Sequence, residues 1–228
     1  MDLNWIGIGS SYIFVFLILV LAEIFLRKKW LSPEYARKFV HIAVSNWWLI
    51  AMFLIKSYVY AVIPPITFVF FNYFSYKKSL FESMEEKGGK AGLGTIYFPI
   101  SLTLLVLLSW WDGLLHLNPY FGAVGVLIMG YGDGLAAVIG SKFGRRTFNV
   151  RRTSKSLEGS LAMFAISFFI ALGAFALLSR FSFTALALAL LVAFVSTLAE
   201  AFTPKGFDNI TVPLLSFAVF TFLFKVFL

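Results

Sequence analysis

The chain has 228 residues, of which 60% are hydrophobic and 13% charged, and its mean hydropathy is +0.88. A water-soluble domain cannot bury that much apolar surface, so the composition points to a membrane protein. The absence of Cys and the presence of only two His exclude disulfides, thiolate metal sites and a His-rich metal centre. A net charge of +8 would raise nucleic acid in a soluble chain; here the basic residues sit in short loops between apolar runs, so they speak for topology and anionic lipid headgroups, and no nucleic-acid partner is expected.

A spanning helix needs about 20 apolar residues. Runs near that length are predicted at Trp5–Leu26, Phe39–Ile55, Tyr58–Phe74, Ile96–Trp111, Phe121–Val138, Leu157–Leu178, Phe183–Phe202 and Ile210–Leu228. They predict an all-α polytopic bundle of about eight spans forming one integral-membrane domain over 1–228. No cleavable leader is expected, because Asp2 replaces a basic stretch and no small-residue cleavage site follows the first run. Between the third and fourth runs, Leu80, Phe81 and Met84 recur at helical spacing among charges, which predicts a short helix on the membrane surface over Tyr76–Lys87.

With alternating spans, sixteen Lys and Arg fall on one side and only Lys56, Arg180 and Lys225 on the other. Positive-inside bias makes the first side cytoplasmic and leaves both termini outside. Trp5, Trp110 and Trp111 then belong to the outer interface. The expected setting is a multi-pass protein of a prokaryotic plasma membrane, with the endoplasmic reticulum as the alternative, and with its active site on the cytoplasmic face.

Acids are costly near a bilayer, about 2.5 to 3.5 kcal/mol for Asp at a helix centre, so the eleven of this chain are informative one by one. Six lie in loops or outside. Five lie at cytoplasmic helix ends: Glu23, Asp133, Glu158, Glu200 and Asp208. Glu23 stands four residues before Arg27 and reads equally well as a helix pair. Asp133 lies in Met129-Gly-Tyr-Gly-Asp-Gly-Leu135, where glycines permit unusual backbone and close approach of a ligand. Glu200, Asp208 and Asn209 share one turn between the last two runs, and their oxygens suit magnesium or another divalent cation, whose shell substrate phosphates complete. Asp208 also suits an N-cap.

Facing them is a basic segment, Arg145 to Gly159. Lys155 and Ser156 immediately precede a helix whose N-terminal amides and dipole favour an anion, and Arg151 and Arg152 add charge-assisted bonds to a polyphosphate. A Walker P-loop is absent: Gly88 to Thr95 has its residue types in the wrong order. Acids and a basic helix start on one face fit metal-assisted phosphoryl transfer.

At these residues the chain resembles the polyprenol kinase family, which includes dolichol, phytol and farnesol kinases. The resemblance lies in Arg37-Lys38-Phe-Val-His41, in Gly132-Asp133-Gly134 through Lys142 to Gly144, in Lys155-Ser156-Leu-Glu158-Gly159-Ser160, and in Glu200 with Asp208-Asn209 to Pro213. It implies transfer of the terminal phosphate of CTP to the hydroxyl of an isoprenoid alcohol, with a divalent metal and release of CDP. Its Gly-Asp and Lys-Ser-Leu-Glu-Gly stretches look like a CTP-binding region, and the length is similar to the shorter, phytol-kinase-like members. On this reading Asp133, Glu200 and Lys155 are catalytic, Asp133, Asp208, Asn209 and Glu200 hold metal, and Gly132, Gly134, Lys142, Arg151, Arg152, Lys155, Ser156, Glu158 and Gly159 hold nucleotide. Arg37, Lys38 and His41 either bind substrate or phosphate or mark the inner interface. The base is open between Asp133, Glu200 and His41, and oligomeric state is not legible. A membrane cytidylyltransferase making a CDP-lipid is the alternative, and an ion-coupled transporter the more distant one, since transporter sites favour the midplane between repeats.

Overall fold

The computed structural model describes residues 2–78, 93–150, 153–179, 181–204 and 206–228. Lys87, Lys90, Arg151, Arg152, Arg180, Lys205 and the expected surface helix beyond Lys78 lie outside them. The chain divides into two compact units, Met1–Pro119 and Tyr120–Leu228.

In the first unit, α1 (Leu3–Arg27) opens on Asp2, whose carboxylate accepts from the Asn4 backbone N–H. α2 (Pro33–Ser45) opens on Ser32 as N-cap with a proline in its first turn, where the missing N–H costs nothing. It stops at Asn46, whose Nδ2 donates to the Ile42 and Ala43 carbonyls at 3.0 and 3.3 Å. The side-chain amide thus competes for carbonyls that a continuing helix would use, and α3 (Trp47–Leu54) starts as a separate helix. By Lys56 the chain is back where α1 began: its N–H donates to Asn4 Oδ1 at 2.9 Å, and Trp5 meets Tyr60 edge-on at 5.5 Å.

α4 (Tyr58–Ala61) and α5 (Ile63–Lys78) then run to the opposite pole, and α6 (Gly94–Ser109) returns. Asp112, just past α6, accepts from Ser57 Oγ and Tyr58 N at 2.7 Å each and so ties both helix ends to the first pole. At the other pole Asn72 Nδ2 donates to Thr95 O at 2.7 Å. Pro99, four residues on inside α6, has no N–H to give that carbonyl, and the Asn72 amide donates to it instead. One pole of the unit therefore carries Asp2, Lys56 and Asp112, and the other carries Arg27, Lys28, Lys29, Lys77 and Lys78.

In the second unit, α7 (Pro119–Leu127) passes through a π-helical segment, Ile128–Asp133, into α8 (Gly134–Phe143). Sequence reading expected glycines to disturb the helix here, and the disturbance is this wider turn. A hairpin follows, β1 (Thr147–Val150) antiparallel to β2 (Thr153–Ser156), with Thr147 opposite Ser156 and Phe148 opposite Lys155. It is an addition to the all-α expectation, built from Thr, Phe and Val, which favour strands. α9 (Leu157–Leu178) and α10 (Phe183–Phe202) have the predicted bounds, and α11 (Asp208–Phe227) starts two residues earlier than predicted. Gly206, at φ 93°, takes the left-handed conformation that the α10–α11 turn requires. A buried Ser196–Ser216 hydroxyl pair at 2.7 Å joins α10 to α11.

The protein is a polytopic helical membrane protein, but the span count is corrected. Among the described residues six helices, not eight, are long and apolar enough to cross a membrane: Leu3–Arg27, Tyr58–Lys78, Pro119–Phe143, Leu157–Leu178, Phe183–Phe202 and Asp208–Phe227. The second predicted span is divided by Asn46. The fourth is a helix of 16 residues, roughly 24 Å against a hydrocarbon core of about 30 Å. Large apolar side chains face outward, Phe183 at 91% and Leu177 at 78% exposure, as lipid-facing surfaces should. Trp110 corrects the interfacial expectation: it is fully buried, 5.3 Å from Trp48, whose Nε1 donates to Pro119 O at 2.9 Å.

Gly125 of α7 packs so closely on α11 that a Cβ there would collide with the Pro213 carbonyl. Gly125→Ala therefore forces two helices apart and should cost about 1–3 kcal/mol, read as a lowered unfolding midpoint in detergent. An unchanged midpoint would show that the contact is slack.

Candidate active site

Lys155 is the penultimate residue of β2, one residue before Ser156, the N-cap of α9. Its Nζ forms a close ion pair with Glu200 Oε1 and also donates to the Glu200 carbonyl at 3.2 Å. The two side chains are only 17% and 6% exposed. Desolvation by burial is the largest influence on Lys155 and acts to lower its pKa. The charge of Glu200, its hydrogen bond, and the further charges of Asp133 and Asp208 outweigh it, so the pKa stands above the ordinary lysine value. Lys155 is thus a cation throughout the neutral range, influenced by three carboxylates that lie 22, 45 and 53 positions from it in the sequence.

Each acid arrives from a different element. Asp133 closes the π segment and is 5% exposed; Glu200 stands two residues before the end of α10; Asp208 opens α11 and is 6% exposed. Asp208 Oδ1 accepts from Gly206 N at 3.1 Å, Asn209 N at 3.0 Å and Asn209 Nδ2 at 3.0 Å. It therefore holds the turn from the first position of α11 and not as its N-cap, which is Phe207, and still contributes its charge to Lys155. Asn209 Nδ2 also donates to Gly206 O at 3.2 Å, which fixes the amide with Oδ1 as a buried acceptor that has no hydrogen-bond donor.

This donor set fits a divalent cation. The carboxylate oxygens of Asp133, Glu200 and Asp208 and the undonated Asn209 Oδ1 are hard oxygen ligands of the kind such an ion takes. Among the described residues no three His, Asp or Glu side chains converge to hold a metal by themselves. A site that relies on substrate oxygens for part of its shell has that character.

The start of α9 is arranged differently from a vacant anion site. Ser156 Oγ accepts from Gly159 N at 3.1 Å, and Leu157 N donates to Arg146 O at 2.9 Å. Ser156 and Gly159 are packed against α8: a Cβ on Gly140 would stand 2.7 Å from Ser156 Oγ, and one on Gly159 would stand 2.9 Å from Ala136 O. Gly132 likewise packs on Met163 of α9, at 2.6 Å from Sδ for an added Cβ. These glycines set the spacing of α8 and the π segment on α9, and Gly134 is buried beside them. Glu158 accepts from Arg146 N at 3.5 Å. Lys142 is exposed, lying 5.4 Å from the Phe143 ring centroid, and is not brought to the cluster. Arg151 and Arg152 lie outside the described residues.

In the first unit, Arg37 and His41 line a pocket between α1, α2, α5 and α6, His41 with its ring 4.5 Å from that of Phe98. Lys38 is half-buried and is not among the lining residues. Glu23 pairs with Arg27 at 2.9 Å, the helix pair its spacing offered. Sequence reasoning gives no role to Asn72, which lines the same pocket; its signal is an amide within an apolar run, matched to a carbonyl to which a proline has no N–H to donate.

No family model matches the chain, and no solved structure matches it. Among curated proteins it is 33% identical over 211 residues to a phytol kinase of Synechocystis, a match covering 92% of this chain and 88% of that one. The chain belongs to the phytol kinase family. Proteins named probable phytol kinase, chloroplastic, from Triticum aestivum and Zea mays are 29% and 26% identical, over 86% and 87% of this chain and 70% and 69% of theirs. Members of this phytol kinase family thus extend from a cyanobacterium to cereal chloroplasts. In this chain Lys155 pairs with Glu200 and is influenced by the charges of Asp133 and Asp208, and Asn209 bonds to Asp208.

The Lys155–Glu200 pair supplies a test of the geometry. Removing one partner of a buried pair costs about 3–5 kcal/mol because the other is left uncompensated. Lys155→Ala should therefore lower the unfolding midpoint, and Lys155→Ala/Glu200→Gln should recover more than half of the loss. No recovery in the double variant would show that the pair is not the source of the loss.

Proposed function

We propose that the protein is a CTP-dependent kinase that phosphorylates the hydroxyl of an isoprenoid alcohol of the phytol or polyprenol type and releases CDP. The observation that carries the reading is the buried Lys155 cation enclosed by Asp133, Glu200 and Asp208, in a chain whose curated relatives are named phytol kinases. The donor terminal phosphate meets Lys155, which moves from Glu200 to phosphate oxygen as the nucleotide enters. Asp133, Asp208, Asn209 Oδ1 and Glu200 are the residues that would hold magnesium. A bound divalent ion there supplies neutralisation of phosphate charge.

The oxygen of the alcohol attacks the terminal phosphorus, the bond from that phosphorus to the bridging oxygen of CDP breaks, and the hydroxyl proton leaves to a side chain or to solvent. Lys155 stabilises charge on the equatorial oxygens and on the departing CDP, and positioning supplies most of the rate. Asp133, Glu200 and His41 are the candidate acceptors of the proton. Burial of the cluster strengthens each of these interactions over its value in water. The positive-inside pattern supports a cytoplasmic position for this pole.

Purified protein in detergent, given CTP labelled in the terminal phosphate and an isoprenoid alcohol, should pass the label to the lipid and release CDP. Label in pyrophosphate would mean a cytidylyltransferase instead, and no turnover without separate compartments would favour transport. Asp133→Asn should reduce phosphate transfer by at least a hundredfold while the protein remains folded; near-normal turnover at saturating magnesium would remove Asp133 from the site. Lys155→Arg should be a partial substitute, because a planar fork replaces a compact ammonium, and Lys155→Ala should lower kcat as well as raise the KM for CTP. For orientation, a Cys placed at Asn118 should react with an impermeant thiol reagent from outside and one at Asn149 only after the membrane is opened; the reverse pattern would move the site to the other face.

A further inference from the structure

The first unit contains a cavity of about 70 Å³ whose lining changes character along its length. Arg37, His41, Asn72 and Thr95 line it near the basic pole of the unit, and Val44, Pro64 and Leu102 line it toward the other. At about 1.5 Å of rise per residue, the spacings Arg37 to Val44, Asn72 to Pro64 and Thr95 to Leu102 each correspond to about 10–12 Å along a helix. The cavity is therefore an elongated slot with a polar end and a hydrocarbon body.

Asn72 decides what the polar end recognises. Its Nδ2 is committed to Thr95 O at 2.7 Å, the carbonyl to which Pro99 has no N–H to donate. The amide cannot flip without losing that bond, so Oδ1 is fixed as an acceptor. The residue is 7% exposed, and Oδ1 is buried without a hydrogen-bond donor. A buried acceptor left undonated costs about 1–3 kcal/mol, and a ligand O–H relieves that cost.

We infer that this slot is the binding site for the isoprenoid alcohol, with the hydroxyl donating to Asn72 Oδ1 and the first part of the chain lying against Phe68, Phe98 and Leu102. An alcohol with one hydrocarbon chain matches the slot in its single donor and its single narrow tail; a phospholipid brings two chains and a far larger head. The inference rests on the kinase reading for the identity of the substrate. It assigns the alcohol to the first unit, while the phosphate-handling residues belong to the second.

Photolabelling of the full chain in nanodiscs with a diazirine-bearing geranylgeraniol reads the site directly, with peptide mapping of the adduct and phosphate transfer measured on the same sample. The expected result is an adduct on the lining residues of α5 or α6, suppressed at least fivefold by excess geranylgeraniol and unaffected by excess phospholipid. Asn72→Leu should weaken this competition about tenfold, and Leu102→Trp, which fills the body of the slot, should abolish the adduct and phosphate transfer together while equilibrium binding of CTP is retained. An adduct elsewhere with intact phosphate transfer overturns the inference and leaves the kinase reading standing. A competed adduct in the slot without transfer from any nucleoside triphosphate supports the slot and overturns the kinase reading. Suppression by phospholipid but not by the alcohol makes the slot a bilayer-lipid site and overturns the inference.

Discussion

A buried lysine enclosed by carboxylates is the constraint on which the second unit turns. Desolvation disfavours the ammonium form of Lys155, and only the convergence of Glu200, Asp133 and Asp208 reverses that preference. The convergence in turn requires the end of the π segment, the end of α10, the start of α11 and the end of the hairpin to meet at one pole. Small residues make the meeting possible: Gly132 admits Met163, Gly140 and Gly159 admit the Ser156 cap, and Gly125 admits the backbone of α11. The glycines serve the ion cluster indirectly, by setting how near the helices come.

Much of this was legible in the sequence because the membrane makes polar residues conspicuous. An acid in an apolar run needs a reason, and the charges of Asp133, Glu200 and Asp208 all act on Lys155. The bounds of α9 and α10 were equally legible, since Ser156 and Ser182 stand as N-caps directly before unbroken apolar runs. The helix start at α9 was read correctly as a location and incompletely as chemistry. A sequence shows that amides are present there, but not that Ser156 and Arg146 already accept from two of them.

What the sequence hid were features that depend on partners distant in the chain. Asn46 looks like one polar residue inside a span, yet its amide reaches back to two carbonyls and divides the helix. Trp110 looks interfacial by position, but Trp48 covers it. Asn72 and Pro99 each look like a minor irregularity; together they form a matched donor and carbonyl across α5 and α6. The hairpin was masked by its own basic composition, which positive-inside topology explains without any strand.

The π segment carries one more implication, about length rather than identity. A regular helix advances about 100° per residue, and a π turn holds an extra residue within one revolution. Loss of a single position within Ile128–Asp133 would let the segment close into regular α geometry while the helix beyond it kept its facing. The Gly140 face would stay on α9, and the change would fall on the segment that ends in Asp133. In this stretch of membrane helix the spare residue shapes the turn before the acid and leaves the packing that follows it alone.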